Sequence, residues 1–161
     1  MLNVQVQTSS HPLAVQLKQL SPLAILPQYK TPLAAGLDLA AAIAEPIILK
    51  AGEKSVLIPT GIAAYIGDAN YVYYIFPRSG MGHKKGLVLG NGTGVIDADY
   101  QGEIFVSACI RPGHDDLVIN PGDAIAQIVF MPIERVEWDI VSEFHEVSER
   151  GAGGFGSTSN T

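Results

Sequence analysis

Three features of the sequence predict an all-β domain of the sandwich or barrel-like kind. Short β-prone runs, Ile47–Leu49, Ser55–Ile58, Ile62–Tyr65 and Tyr71–Phe76, follow one another with only the turn segments AGE, PTG and GDAN between them. No helical period of ten or more residues occurs among them. The pattern then resumes in Glu103–Ile110, Leu117–Ile119, Ala124–Met131 and Val136–Val141. No internal repeat or linker-like stretch divides the 161 residues, a length that supports one core of ordinary size.

The remaining elements follow in order. Residues 1–12 are polar and without period, and read as a loose lead-in or a short edge strand. Ala14–Leu20 alternates as a half-buried strand does, whereas Pro22, Pro27 and Pro32 make the next segment an extended connector. Leu37-Asp38-Leu39 opens another β run, with Asp38 as an edge or turn carboxylate. PRSGMGHKKG (77–86) has the wrong glycine spacing for a dinucleotide loop; it predicts a short helical turn from Ser79, whose free N–H groups would suit an anion. The Ser79 hydroxyl could equally be a simple N-cap.

Val88–Leu89 and Val95–Ile96 flank Gly90-Asn91-Gly92-Thr93-Gly94 and read as a hairpin. Its glycines serve either turn geometry or the close approach of a flat ligand to the main chain. Asp97, Asp99 and Tyr100 follow, with Gly102 closing the turn. They form either an ordinary turn or a general base beside a stacking surface. Gln127 interrupts the apolar run AIAQIVF and requires partners, most simply backbone. The last residues, RGAGGFGSTSNT, hold four glycines and four hydroxyl side chains; such a composition builds no core and predicts a mobile tail. The chain is thus expected to divide into a β domain, 1–145, and a flexible tail, 146–161.

Composition narrows the function. A formal net charge of −6 argues against a nucleic-acid binder, so any phosphate site must be local. The candidate cations for it are Arg78, Lys84, Lys85, Arg111 and Arg150. Apolar residues make up 47% of the chain, but charges and prolines break every run before it reaches membrane-spanning length. No secretory leader is expected from MLNVQVQTSSHP. The single cysteine, Cys109, excludes an intrachain disulfide, reads as a small hydrophobe and fits a reducing, cytoplasmic compartment. His11, His83, His114 and His145 have no spacing that would bind zinc together with Cys109.

Five segments in order, AGLDLAAA (35–42), PRSG (77–80) running into MGHKKG, GLVLGNGTGVIDADYQGE (86–103), GDAIAQIVF (122–130) and RGAGGFGSTS (150–159), closely resemble the five ordered motifs of the trimeric dUTP nucleotidohydrolases. The resemblance implies a jelly-roll-like β-clip domain, hydrolysis of dUTP to dUMP and pyrophosphate with magnesium brought by the substrate phosphates, and a homotrimer whose sites are shared between chains. It implies Asp97 as the carboxylate that orients and deprotonates the attacking water. Tyr100 would pack on the deoxyribose and exclude a 2′-hydroxyl, and Asn91, with the backbone about Gly94, would read uracil. Arg78, Ser79, Gly80 and Gln127 would hold the phosphates, and Asp38 would act on metal-bound water or a neighbouring basic group. Arg150, Phe155, Gly156, Ser157 and Thr158 would belong to a tail that closes over the nucleotide. Gln101 and Ala152 depart from positions that are often basic and acidic in the family. Two alternatives fit less well: a dCTP deaminase of the same fold, and a dUTP-responsive regulatory module.

Overall fold

The computed structural model describes residues 12–146 and 148–153. Its strands are β1 (Gln16–Gln19), β2 (Leu37–Ala40), β3 (Ile47–Leu49), β4 (Val56–Pro59), β5 (Ile62–Tyr65), β6 (Tyr71–Pro77), β7 (Leu87–Leu89), β8 (Gly94–Ile96), β9 (Phe105–Ile110), β10 (Leu117–Ile119) and β11 (Ala124–Pro132). One short helix, α1 (Ser79–Lys85), lies between β6 and β7. All-β is therefore the observed class, and the arrangement is jelly-roll-like.

All pairings between these strands are antiparallel. The largest sheet runs β2-β11-β6-β8 and the next β4-β9-β7, with two-stranded pairs β1-β5 and β3-β10 beside them. Period-2 alternation explains how the sheets meet. Along β9, Val106, Ala108 and Ile110 are buried while Phe105, Ser107 and Cys109 are not. Tyr73, Ile75, Ala126 and Ile128 come in from the larger sheet and join Ile58, Leu87, Leu89, Val106, Ala108 and Ile110 from the smaller one in a single apolar cluster.

Tyr73 is the largest fully buried side chain in that cluster. Its ring packs against Phe130 with centroids 5.3 Å apart, and its hydroxyl donates to the Ala64 carbonyl at 3.1 Å, tying β6 to β5. Burial, and secondarily the nearby Tyr100, push this phenol above its ordinary pKa of 10.0.

Two expectations are corrected. The segments about Gly90–Gly94 do not form a hairpin: β7 pairs with β9, and β8 pairs with β6 in the other sheet. The glycine-rich turn carries the chain from one sheet to the other, closed by Gly92 N–H to Leu89 O at 3.0 Å and Thr93 N–H to Asn91 O at 2.9 Å. Nor is Val136–Val141 a strand. It has no ladder partner among the described residues, and its Trp138 and Ile140 are 86% and 94% exposed.

Because the folded state favours the neutral Tyr73 phenol, that contribution is complete below about pH 10 and is lost as pH rises toward the higher folded value. Melting followed from about pH 8 to about pH 11 should thus decline more steeply for the native chain than for Tyr73→Phe. That variant is itself expected to lose about 1 kcal/mol at neutral pH with the Ala64 bond.

Candidate active site

The first polar group forms where β6 ends and β11 runs on past it. In register, Gln127 of β11 lies between Asp38 of β2 and Phe76 of β6, so the pleat brings the Asp38 and Gln127 side chains together. Gln127 Nε2 donates to the Pro77 carbonyl at 3.0 Å. The β6 ladder with β11 begins at Ala126, and a bulge shifts the register between Ala124 and Ala126. The Ala124 carbonyl is therefore available to Arg78, whose Nη1 donates to it at 3.1 Å. Arg78 Nε also reaches Asp38 Oδ1 at 2.9 Å.

This geometry leaves Arg78 anchored but accessible, its side chain 39% exposed against 17% for Asp38. At that exposure the ion pair adds at most about 1 kcal/mol to stability, so its main effect is to fix where the guanidinium points. Gly36 is part of the arrangement. A Cβ there would lie 2.6 Å from Gln127 Oε1.

Arg78 is also the N-cap of α1, in extended conformation, and no side chain caps the helix. Ser79 is therefore the first helical residue rather than the cap, and both it and Gly80 are exposed. Among the described residues a Cβ on Gly80 would meet nothing within 4 Å, so their packing does not demand glycine there. Three other candidate cations serve the scaffold. Arg111 Nη2 donates to the Gly82 carbonyl at 2.8 Å, and Lys84 and Lys85 sit in the last turn of α1, where positive charge suits the helix dipole.

The second polar group lies where the chain leaves β8. Asp97 and Tyr100 line one cleft of about 320 Å³ together with Leu57, Ile96, Glu103 and Phe105. Asp97 is exposed, and its carbonyl accepts the Tyr100 N–H at 3.2 Å. Tyr100, 42% exposed, donates its hydroxyl to the Glu103 carbonyl at 2.9 Å. Asn91 is exposed at the turn before β8, whereas Gly94 is buried, because a Cβ there would lie 2.9 Å from Ile75 Cβ.

The two groups stand apart in one chain. Ile96 pairs with Tyr73 near the start of β6, whereas Arg78 follows the end of that strand at Pro77. Six residues of strand from the level of Asp97 to Arg78 correspond to about 20 Å. Arg150 is elsewhere again, its Nε donating to the Gly153 carbonyl at 2.8 Å in a turn of its own tail. Phe155, Gly156, Ser157 and Thr158 lie outside the described residues.

Sequence reasoning did not single out Glu103, Gly36 or the Ala124 carbonyl. The bulge that frees the carbonyl has no sequence signature here, and Gly36 and Glu103 matter only through contacts with distant segments. Among the described residues, no three His, Cys, Asp or Glu side chains cluster so as to hold a metal ion. Also among them, no helix is long and apolar enough to cross a membrane.

A jelly-roll-like β chain with an anchored arginine at one end of its central strand and a carboxylate with a tyrosine at the other is the class that these features define. The family model for dUTPase matches residues 23–159. The deoxyuridine 5'-triphosphate nucleotidohydrolase of Paraburkholderia xenovorans strain LB400 is 53% identical over 133 residues, 83% of this chain and 88% of that one. That of Psychrobacter sp. strain PRwf-1 is 51% identical over 149 residues, 89% and 96% of the two chains. Among solved structures, the Staphylococcus bacteriophage 80alpha dUTPase with dUPNHPP superposes with a TM-score of 0.80 at 31% identity, covering 89% of this chain and 97% of its own. A mutant dUTPase of phage phi11 of S. aureus, described as coordinating a structural Mg(II) ion, gives 0.71 at 29% identity over 83% and 99%. The chain belongs to the dUTPase family.

If the Asp38–Arg78 pair orients rather than stabilises, Asp38→Asn should lower unfolding free energy by no more than about 1 kcal/mol in a denaturant titration. Nucleotide hydrolysis should drop at least about tenfold in kcat/KM. Losses confined to stability would make the pair structural.

Proposed function

We propose that the protein is a dUTP diphosphatase that hydrolyses dUTP to dUMP and pyrophosphate in sites shared among three copies of the chain. The observation that carries this reading is the split just described: within a chain of this family, Asp97 and Tyr100 stand at one end of β6 and Arg78, Asp38 and Gln127 at the other. A nucleoside triphosphate held by both groups is then held by two chains. Apolar surface left open on one chain supports association. Trp138, Ile140 and Phe144 are 86%, 94% and 89% exposed, and Val15, Leu17, Pro27, Leu37, Ile128 and Phe130 line an apolar groove.

In this reading Asp97 takes a proton from water as that water attacks the α-phosphorus in line, and pyrophosphate leaves. Arg78, already oriented by Asp38 and the Ala124 carbonyl, receives phosphate oxygens bidentately. The second N–H of the Gln127 amide, left over after Pro77, donates to another, beside Ser79 and the open backbone at Gly80. The Tyr100 ring excludes a 2′-hydroxyl from the sugar side, while Asn91 and the main chain near Gly94 read the uracil edge. Arg150, Phe155, Gly156, Ser157 and Thr158 close the site from a third chain.

Magnesium, brought by the triphosphate and held through water by Asp38, would supply charge compensation for the leaving pyrophosphate. The donor set suits such a loan: Asp38 keeps one carboxylate oxygen free of Arg78, enough for a water-mediated contact and too little for a cage. In the cell, by this reading in the cytoplasm, the reaction limits uracil entering DNA and supplies dUMP for thymidylate.

Asp97→Asn keeps the shape of the cleft, so it should still bind a non-hydrolysable dUTP analogue while turnover falls by roughly 10²-fold or more. Near-normal turnover would remove Asp97 from the chemistry.

Chain sharing has its own signature. Asp97→Asn and a deletion after Glu149 should each be poorly active, yet unfolded together at equal concentration and refolded they should recover about a quarter of native sites by random assortment in a closed ring of three. Mixtures that exchange subunits and stay inactive would rule out a site built from the Asp97 of one chain and the tail of another.

A further inference from the structure

Between the end of β8 at Ile96 and the start of β9 at Phe105 no ladder supports the chain, although this loop carries both Asp97 and Tyr100. Ala98 holds the first part of the loop, its carbonyl accepting the Gly67 N–H at 2.9 Å and its side chain packing on the core, and Glu103 holds the part that carries the tyrosine. Glu103 Oε1 accepts the Gly61 N–H at 2.9 Å, and the Glu103 carbonyl accepts the Tyr100 hydroxyl at the same distance. One residue thus grips the scaffold with its side chain and the tyrosine with its backbone.

The scaffold end of this link is firm. Gly61 is buried, in a left-handed conformation at φ 67°, and its carbonyl accepts the N–H groups of Leu20 and Ser21 at 2.7 and 3.2 Å. A neighbouring bond, Ile104 N–H to Ile62 O at 2.9 Å, and the Thr60 hydroxyl on the Ile104 carbonyl at 2.6 Å keep the following residue in place. The other end is shaped by Gly102. A Cβ there would lie 2.5 Å from Tyr100 Oη and 2.7 Å from Cζ, so the ring sits directly over the glycine.

We propose that Glu103 is a positioning residue for sugar selection: its carboxylate, clamped on the Gly61 N–H, fixes the Tyr100 ring over Gly102 and so sets the wall that meets the 2′ position. The inference rests on the reading that Tyr100 guards the sugar. A carboxylate on a main-chain N–H is a charge-assisted bond, stronger than a neutral one. Glutamine at 103 keeps an acceptor oxygen at the same reach, and alanine removes it.

The test compares kcat/KM for dUTP and UTP in the full-length chain and in Glu103→Ala, Glu103→Gln, Gly102→Ala and Tyr100→Ala, with melting temperature alongside. Glu103→Ala and Gly102→Ala should each narrow the dUTP preference by roughly tenfold, the scale expected when a positioning contact is displaced. Glu103→Gln should retain most of the preference. Should Glu103→Ala fail to fold, Glu103→Asp takes its place, because it keeps the charge but draws the acceptor back from the Gly61 N–H by one methylene, and it should narrow the preference likewise. Ratios unchanged in the folded Glu103 and Gly102 variants while Tyr100→Ala loses its preference would overturn the inference, as would Glu103→Gln behaving like Glu103→Ala. An unchanged ratio in Tyr100→Ala would instead remove the sugar-guarding role, and the inference would fall with it.

Discussion

Strand β6 is the constraint on which the rest of this structure depends. It is paired on both sides, by β11 and β8, so its seven residues form a member that cannot shorten or slip without inverting every side chain on it. Tyr73 locks its first half into the core by filling space and by donating to Ala64 across to another sheet. Its far end delivers Arg78 to the start of α1. Because β8 runs antiparallel to it and ends with Ile96 opposite Tyr73, the chain leaves toward the start of β6 and Asp97 emerges far from Arg78.

That rigidity has a chemical consequence. A hydrolase acting on a triphosphate needs cations on the phosphates and a base near the scissile phosphorus at contact distance. One chain of this fold holds both parts firmly and holds them apart. In the proposed shared site, association of copies resolves the conflict without bending the sheet, and the apolar side chains exposed on residues 136–144 would give that association a driving force. On that proposal, the elements that make the single chain stable are the ones that make it incomplete as a catalyst.

The small residues contribute in two different ways. Gly36 and Gly102 yield room to a neighbouring polar side chain, Gln127 and Tyr100 respectively, and a methyl at either position would push on that group. Gly80 yields room to nothing among the described residues. A glycine with open space around it at the start of a helix fits the approach of a ligand better than any demand of packing.

Sequence alone determined the strand inventory where apolar alternation was bounded by turn residues: β3 and β5 run over the residues the pattern marks, and the helical turn begins at Ser79 as expected. It also determined the family, because five ordered motifs are a property of the chain and need no coordinates. Partners were another matter. Alternation says which side of a strand is apolar and nothing about what lies beside it, so the residues flanking Gly90–Gly94 read as a hairpin although β7 and β8 pair into different sheets. Val136–Val141 has the same periodicity and finds no partner strand among the described residues. Likewise the backbone reading of Gln127 was legible from the cost of burying an amide, but the carbonyl it meets, Pro77, was decided by register. The distance from Asp97 to Arg78 and the clamp from Glu103 to Gly61 are long-range facts of pairing and packing, which only the tertiary structure decides.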